Sequence, residues 1–305
     1  MGTILRAVLL AVLTYACIAC EPAPKTAEGP RYAAAKPTKE QHVTYRFAVH
    51  PLHNPHKLNQ TYQPLIDYLN RQLPDQRFEL EAARDYQVYE ARFRSREPEF
   101  LLPNPWQTLE AIKVGYSVIA MAGDAADFKG LIIVRKDAGI HSPKDLRGKA
   151  VSYPSPTAVA AGIMPQYFLY QHGIDINRDI ENRYVGSQES SIMNAYLQHT
   201  AAAATWPPPW RAFQKDHPLE AEKLQVMWET ESLPNNSVMV RNDVSTAVRE
   251  KVRKALFDLG HTNEGRQILA DLETAYFHPA NDANYAVVQK FIDNFERKVR
   301  PVERK

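Results

Sequence analysis

Cysteine is almost absent from this chain, and both cysteines fall within its first twenty positions. The 305-residue sequence contains only Cys17 and Cys20. If Cys17 is removed with a leader and Cys20 carries a lipid, the folded part has no thiol. That would exclude a disulfide, a thiolate metal site and a cysteine nucleophile.

An excess of charge and the common catalytic motifs are also missing. The 37 basic and 35 acidic residues give a net charge of +2 without a basic patch, which argues against a nucleic-acid surface. The sequence has no Gly-x-Ser-x-Gly, His-Glu-x-x-His, P-loop or dinucleotide fingerprint, and Ser152 has no evident base. We therefore expect neither an enzyme nor a cofactor.

Long hydrophobic runs are missing too, apart from Ala7–Ala19. This run is too short to span a bilayer, which takes about 20 residues, but it suits a signal peptide. It ends at Ala19-Cys20, so residues 1–20 resemble a signal peptide with a lipobox, and Cys20 is the expected lipidation site. Cys17 and a simple secretory signal are the alternatives. Residues 21–42 are rich in Pro, Ala, Lys and Glu, which predicts a flexible tether.

The remainder is long enough for two domains and alternates strands with helices, which predicts α/β lobes with mostly parallel sheets. Predicted strands at 45–49 and 100–102 are each followed by polar or aromatic residues. Ligands bind at the carboxyl ends of parallel strands, so we expect His53, Asn54, Asn104 and Trp106 to lie near a ligand. His50, His53 and His56 lack a metal-binding spacing, and no metal site is predicted.

Two further strand-to-helix turns carry candidate ligand contacts. After a strand at 150–153, Ser155 or Thr157 precedes a predicted helix, and after a strand at 183–185, Gln188 and Glu189 follow Ser187. Helix N-termini present unpaired N–H groups that suit anions. Each of these polar residues also fits a purely structural role as a helix cap or first-turn residue.

The segment Thr205-Trp-Pro-Pro-Pro-Trp210 follows an alanine-rich strand. Its three prolines predict a stiff extended loop. Trp206 would then form an aromatic wall of the cleft opposite Trp106, contributing to ligand affinity rather than to stability. Trp210 is expected to pack in the core. The alternative for Trp206 is that it also packs in the core.

Two stretches, IIVRKDAGIHSPKDLRGKAV and YVGSQESSIMNAYL, are similar to the periplasmic solute-binding proteins of ABC transporters. The resemblance is strongest to the phosphate, phosphite and phosphonate group. It implies a two-lobed type II periplasmic-binding-protein clamshell. Lobe one would hold residues 43–128 plus 233–300 and lobe two residues 129–232, with hinge crossings near 128–130 and 233–236.

The resemblance implies a periplasmic, lipid-anchored monomer that captures a small polar or anionic solute and delivers it to an ABC permease and its ATPase. A sensor that signals to a membrane histidine kinase or chemoreceptor is the alternative. In relatives, hydroxyls line the first helix mouth and a His precedes the second. Here Ala158–Ala161 and Gln188 occupy those positions. The resemblance therefore does not identify the ligand, and weak phosphate binding is expected.

Overall fold

The computed structural model describes residues 43–303. The predicted signal segment, Cys20 and the tether therefore lie outside the described residues. The eleven strands of the described part are β1 Val43–Val49, β2 Gln76–Ala82, β3 Phe100–Leu102, β4 Tyr116–Ala122, β5 Lys129–Arg135, β6 Ala150–Tyr153, β7 Glu181–Tyr184, β8 Ala202–Thr205, β9 Leu224–Ser232, β10 Ser237–Arg241 and β11 Phe277–His278.

Helices separate most of these strands. They are α1 Pro55–Gln72, α2 Tyr86–Arg94, α3 Pro105–Lys113, α4 Met164–Gln171, α5 Gln188–Tyr196, α6 Pro207–Asp216, α7 Pro218–Ala221, α8 Thr246–Asp258, α9 Asn263–Asp271 and α10 Ala286–Lys298. Within residues 43–303, no helix combines the length and the apolarity needed to cross a bilayer.

The first sheet has the strand order β11-β4-β10-β3-β1-β2. Strand β1 pairs in parallel with β2 and β3, whereas β10 is antiparallel to β3 and β4. Strands β1 to β4 thus run in one direction, and β10 and β11 run against them. The sheet is mixed rather than mostly parallel, but the carboxyl ends of β1 to β4 share one edge.

The second sheet has the order β7-β6-β8-β5-β9. Strand β6 pairs in parallel with β7 and β8, and β5 is antiparallel to β8 and β9. Only β5 is reversed, so the ends of β6 and β8 also meet at one edge. We call the first sheet with its helices lobe one and the second sheet with its helices lobe two.

Two short segments join the sheets, one between β4 and β5 and the other between β9 and β10. They lie side by side, because Leu233 N donates to Phe128 O at 3.0 Å and Asn235 Nδ2 donates to Asp124 O at 2.9 Å. Tyr285 donates its hydroxyl hydrogen to Asn235 O at 2.6 Å. The connection between the lobes therefore consists of two segments that are hydrogen-bonded to each other.

The prolines after Trp206 form a helix, so the predicted extended loop is wrong. Pro207, Pro208 and Pro209 are the first three residues of α6, and Trp206 is its N-cap residue. Proline is tolerated there because the first N–H groups of a helix have no intrahelical partner.

The turn after β6 also differs from the prediction of a helix capped by Ser155 or Thr157. Ala158 precedes a π-helical turn, Val159–Ile163, that continues into α4. A Cβ on Gly130 of β5 would lie 2.7 Å from Ala160 O. Only glycine allows the sheet to pack this closely against the wide turn.

Candidate functional site

A small cavity of about 20 Å³ lies between the lobes. Strand-end residues of both lobes and the connecting segment line it, among them Leu52, Leu102, Gly123, Trp206 and Asn236. Asn236 is buried, and its Oδ1 atom accepts no hydrogen bond among the described residues. This cavity has room for about one water molecule, so a larger solute would fit in it only if the lobes separated.

The turn between β6 and the π-helical turn brings hydroxyls to the lobe interface. Ser155 and Thr157 are buried; Thr157 N donates to Ser155 Oγ at 3.2 Å, and the two hydroxyl oxygens lie 3.0 Å apart. The Thr157 hydroxyl donates across the interface to Glu90 Oε1 at 2.6 Å. The predicted pair of hydroxyls therefore exists, but its hydrogen-bond chain ends on a carboxyl group of lobe one.

Glu90 is the residue that sequence reasoning missed at this place. It lies on α2, is 4% exposed, and its Oε1 also accepts from Gln107 Nε2 at 2.9 Å. Burial raises the pKa of the Glu90 carboxyl to about 7, although the hydrogen bonds from Thr157 and Gln107 act in the opposite direction. A carboxyl group in this setting is close to half-protonated at neutral pH.

Asn104 acts both as a helix cap and as a contact between the lobes. Its Oδ1 accepts from Gln107 N at 3.0 Å and Gln107 Oε1 accepts from Asn104 N, a capping box at the start of α3. Its Nδ2 donates to Thr157 O at 3.0 Å. The capping box holds the amide in place, so α3 aims one donor at the turn of lobe two.

Gln188 is buried at the start of α5 and faces Tyr86 of lobe one. Its Oε1 accepts from the Thr205 hydroxyl at 3.0 Å. Burial raises the pKa of Tyr86, and a hydrogen bond with Gln188 partly offsets this. Ser187 caps α5, and Glu189 lies 3.2 Å from His217 Nε2 within lobe two. Of the two predicted contacts Gln188 and Glu189, Gln188 is therefore at the lobe interface, whereas Glu189 contacts a residue of its own lobe.

The residues of the histidine loop after β1 differ in how deeply they are buried. His50 is buried, with Nδ1 2.9 Å from Leu102 O, and burial lowers its pKa to about 4. His53 is half-buried, and Asn54 caps α1 by accepting from Lys57 N at 3.0 Å. The described residues include no cluster of three or more His, Cys, Asp or Glu side chains suited to a metal ion.

The two tryptophans predicted to face each other lie in different places. Trp206 is 5% exposed, lines the cavity and has its ring centroid 5.4 Å from that of Phe128. Trp106 is the second residue of α3 and lines an outer groove with Leu109, Ile292 and Pro301. Trp206 alone of the two borders the interlobe cavity.

Arg300, near the end of the described chain, holds the Ser155–Thr157 turn from behind. Its Nη2 donates to Pro156 O at 2.9 Å, and its Nε donates to Gln166 Oε1 at 2.9 Å. The segment after α10, a helix that packs on α3, thus reaches lobe two. The turn that carries both hydroxyls is therefore hydrogen-bonded to an arginine that follows α10.

The sequence contained one signal for Glu90. Tyr86, Tyr89, Glu90 and Phe93 share the buried face of α2 at spacings of three and four residues. An ionisable residue on an otherwise aromatic helix face predicts a buried carboxyl group with specific partners. No such local signal marks Asn236 as a buried residue whose Oδ1 atom has no hydrogen-bond donor among the described residues.

Comparison with known proteins identifies the family. Residues 47–285 match the family described as "ABC transporter, phosphonate, periplasmic substrate-binding protein". The chain belongs to this family. It is a family of periplasmic substrate-binding proteins that serve transport, not a family of enzymes, and the type II resemblance of the sequence is confirmed.

One curated relative is the phosphonates-binding periplasmic protein of Escherichia coli K12. It is 18% identical over 173 residues, which are 55% of this chain and 51% of the relative. The chain therefore matches about half the length of that binding protein.

Solved structures agree with the two-lobed α/β fold. The binding-protein component of a phosphonate ABC transporter from Pseudomonas aeruginosa has a TM-score of 0.77 at 18% identity, covering 84% of this chain and 88% of its own. A binding protein from Prochlorococcus marinus, solved with methylphosphonate, has the same TM-score and identity, covering 83% and 98%. At this identity the likeness establishes the fold and not the ligand.

Proposed function

We propose that this chain is the solute-binding component of an ABC importer, which captures a small phosphonate-like anion between its lobes and passes it to a permease. Lobe one would comprise residues 43–128 plus 233–300 and lobe two residues 129–232. The protein would act as a periplasmic monomer. Family membership supports the transport role, and the residues at the lobe interface support the choice of site.

The observation that carries the proposal is that polar groups of lobe one meet one turn of lobe two. Asn104 Nδ2 donates to Thr157 O, and the Thr157 hydroxyl donates to Glu90 Oε1. Beside this turn, Tyr86 of lobe one meets Gln188 of lobe two. These contacts form only when the lobes meet, so a solute held there would stabilise the closed state. The π-helical turn beyond Thr157 would add N–H donors for an anion.

A thermal-shift screen followed by calorimetry tests the ligand class. We expect methylphosphonate and other alkylphosphonates to raise the melting temperature, since a ligand at 100 times its Kd adds about 2.7 kcal/mol of stability. Sugars and neutral amino acids serve as controls. Stabilisation by these controls but by no phosphonate would contradict the proposal.

Inorganic phosphate should bind more weakly than the alkylphosphonates. Phosphate presents a fourth oxygen where an alkylphosphonate presents an alkyl group. Side-chain donors to bind this oxygen are lacking at Ala158–Ala161, and Gln188 brings no charge, so little offsets its desolvation. Calorimetry that shows sub-micromolar phosphate binding would contradict this expectation.

We also propose that Cys20 anchors the binding protein to a membrane, since Ala19-Cys20 ends the apolar run near the N-terminus. Replacing Cys20→Ser should move the protein from the membrane fraction to the soluble fraction. Unchanged membrane association would remove the anchor from the proposal and leave solute binding untouched.

A further inference from the structure

The Ser155–Thr157 turn, where the proposed ligand would bind, is in hydrogen-bond contact with Glu90 of lobe one. The N–H of Thr157 donates to Ser155 Oγ, the two hydroxyls are in contact, and the Thr157 hydroxyl donates to Glu90 Oε1 at 2.6 Å. The hydroxyl hydrogen of Thr157 therefore points to the carboxyl group of Glu90. An incoming oxyanion competes with Glu90 for the donor that Thr157 offers.

From this geometry we propose that Glu90 is a specificity-determining residue, which admits an anionic ligand when it is protonated and opposes one when it is ionised. Binding of the anion is then coupled to a net uptake of protons from solvent, which cannot exceed one per site. The inference rests on the proposed function, because it presumes an anion beside the turn.

The hydrogen-bond chain explains how one proton changes the site. An ionised Glu90 only accepts, so it holds the Thr157 hydrogen and adds a negative charge beside the ligand. A protonated Glu90 can donate to Thr157 Oγ1, which frees the Thr157 hydrogen for a ligand oxygen. Protonation therefore removes a repulsion and supplies a donor in the same step.

The groups around Glu90 leave its proton exchangeable near neutral pH. Both donors to Oε1, from Thr157 and Gln107, are neutral. Arg94 on the same helix lowers the pKa of Glu90, Glu303 after α10 raises it, and burial is the largest influence, giving a value of about 7. Tyr86 and Tyr89 on α2 are buried phenols whose own pKa values are raised, so they remain uncharged.

The test compares methylphosphonate affinity of wild type and Glu90→Gln over a range of pH by calorimetry, using the full chain in mild detergent. The titration of the ligand itself enters both proteins alike, so the ratio of the two Kd values isolates Glu90. A bound anion that raises the pKa of Glu90 by one unit makes this ratio rise from near one at about pH 5.5 to roughly tenfold at about pH 8.5, with Glu90→Gln binding more tightly.

Glu79→Gln is the matched control. Glu79 lies in β2 of lobe one, is half-exposed and pairs with Arg77 at 3.3 Å, so its replacement removes the same charge away from the interface. Its Kd should follow that of wild type at every pH. An equal effect of both variants would assign the change to net charge and overturn the role of Glu90.

Two further measurements keep the inference open to refutation if Glu90→Gln fails to fold. In wild type, calorimetry in buffers of different ionisation enthalpy should show more proton uptake on binding than the ligand's own titration accounts for. Carbon-13 NMR of labelled glutamate carboxyl groups, without ligand, should show one group that titrates near pH 7. Absence of either signal overturns the inference.

The outcomes also separate this inference from the proposed function. Methylphosphonate binding with a pH-independent Kd ratio overturns the role of Glu90 and leaves solute capture standing. Failure of wild type and both variants to bind any phosphonate overturns the proposed function, and the inference with it.

Discussion

Burial of His50 at the end of β1 couples the stability of lobe one to pH. The unfolded imidazole has a pKa near 6.5, whereas burial lowers the pKa of His50 in the folded protein to about 4. Its contribution to stability is therefore complete above about pH 6.5 and is lost as the pH falls toward 4. Glu90 acts with the opposite sign, because its raised pKa favours the folded state at acid pH.

We predict that His50→Gln makes the folded protein less sensitive to acid. Wild type should lose up to about 3 kcal/mol of unfolding free energy through His50 between pH 7 and pH 4, and the variant should lack this loss. Urea unfolding at both pH values measures the difference. Equal acid sensitivity of the two proteins would show that His50 is not the responsible group.

For Trp206, burial changes the prediction made from sequence. Its ring packs against Phe128 in the connecting segment and lines the cavity, so Trp206→Ala should lower the melting temperature as well as ligand affinity. Large-to-small changes at buried aromatic residues cost about 3–5 kcal/mol. Trp206→Phe should keep most of the stability, since a ring remains against Phe128.

Trp210→Ala is the control for this pair of effects. Trp210 stacks on Phe213 with ring centroids 5.9 Å apart, in the packing of lobe two. We expect a loss of stability with ligand affinity retained, measured by paired melting curves and titrations. A Trp206→Ala protein that melts like wild type would contradict the burial of that ring.

At the scale of the element, Asn104 has two separable roles at the start of α3: it caps the helix, and it donates a hydrogen bond to lobe two. Asn104→Ser should keep the cap but lose the amide that donates to Thr157 O, whereas Asn104→Ala should lose both. Loss of a cap costs about 1 kcal/mol. We therefore predict weaker ligand binding in both variants, and a clear loss of unfolding free energy only in Asn104→Ala. Equal destabilisation of the two variants would contradict this division.

The elements differ in how far the sequence determines them. Phe100–Leu102 is a short apolar run before Pro103, and Ser237–Arg241 follows a Pro-Asn-Asn break, so local signals identified both strands. The prolines of α6 were misread because proline is compatible with both an extended loop and a first helical turn.

The interface itself was harder to predict. The burial of Glu90 depends on Thr157, which lies 67 residues further along the chain and in the other lobe. The π-helical turn depends on Gly130, which allows Ala160 to approach β5. The periodicity of the local sequence predicts neither the contact of Glu90 with Thr157 nor that of Gly130 with Ala160. The strand ends that border the site were predictable from the alternation of strands and helices.

At the scale of the whole molecule, α6 connects the lobes through charge. Arg211 Nε donates to Glu273 Oε2 at 2.8 Å, and its Nη2 lies 3.0 Å from Asp127 Oδ2 in the connecting segment. Lys215 also pairs with Glu273, and Lys57 of α1 pairs with Asp216. Three charged residues of this lobe-two helix therefore pair with residues of lobe one or of the connecting segment.

Glu273→Gln should favour separation of the lobes. Two cations of α6 lose their shared partner, so we predict a larger radius of gyration for the ligand-free variant by small-angle X-ray scattering. Exposed ion pairs contribute about 0–1 kcal/mol, so wild type should shift the same way in high salt. Arg77→Gln, remote from the interface, serves as the control, and an unchanged radius for Glu273→Gln would contradict the role of these pairs.

The burial of Ser155, Thr157 and Glu90 where the lobes touch has a consequence for the speed of capture. A solute cannot reach these side chains while the lobes are in contact, so each encounter must wait for an opening event. The observed association rate should then level off at high solute concentration, at the value of the opening rate constant. In stopped-flow traces that plateau, rather than diffusion, would set the pace of uptake when solute is abundant.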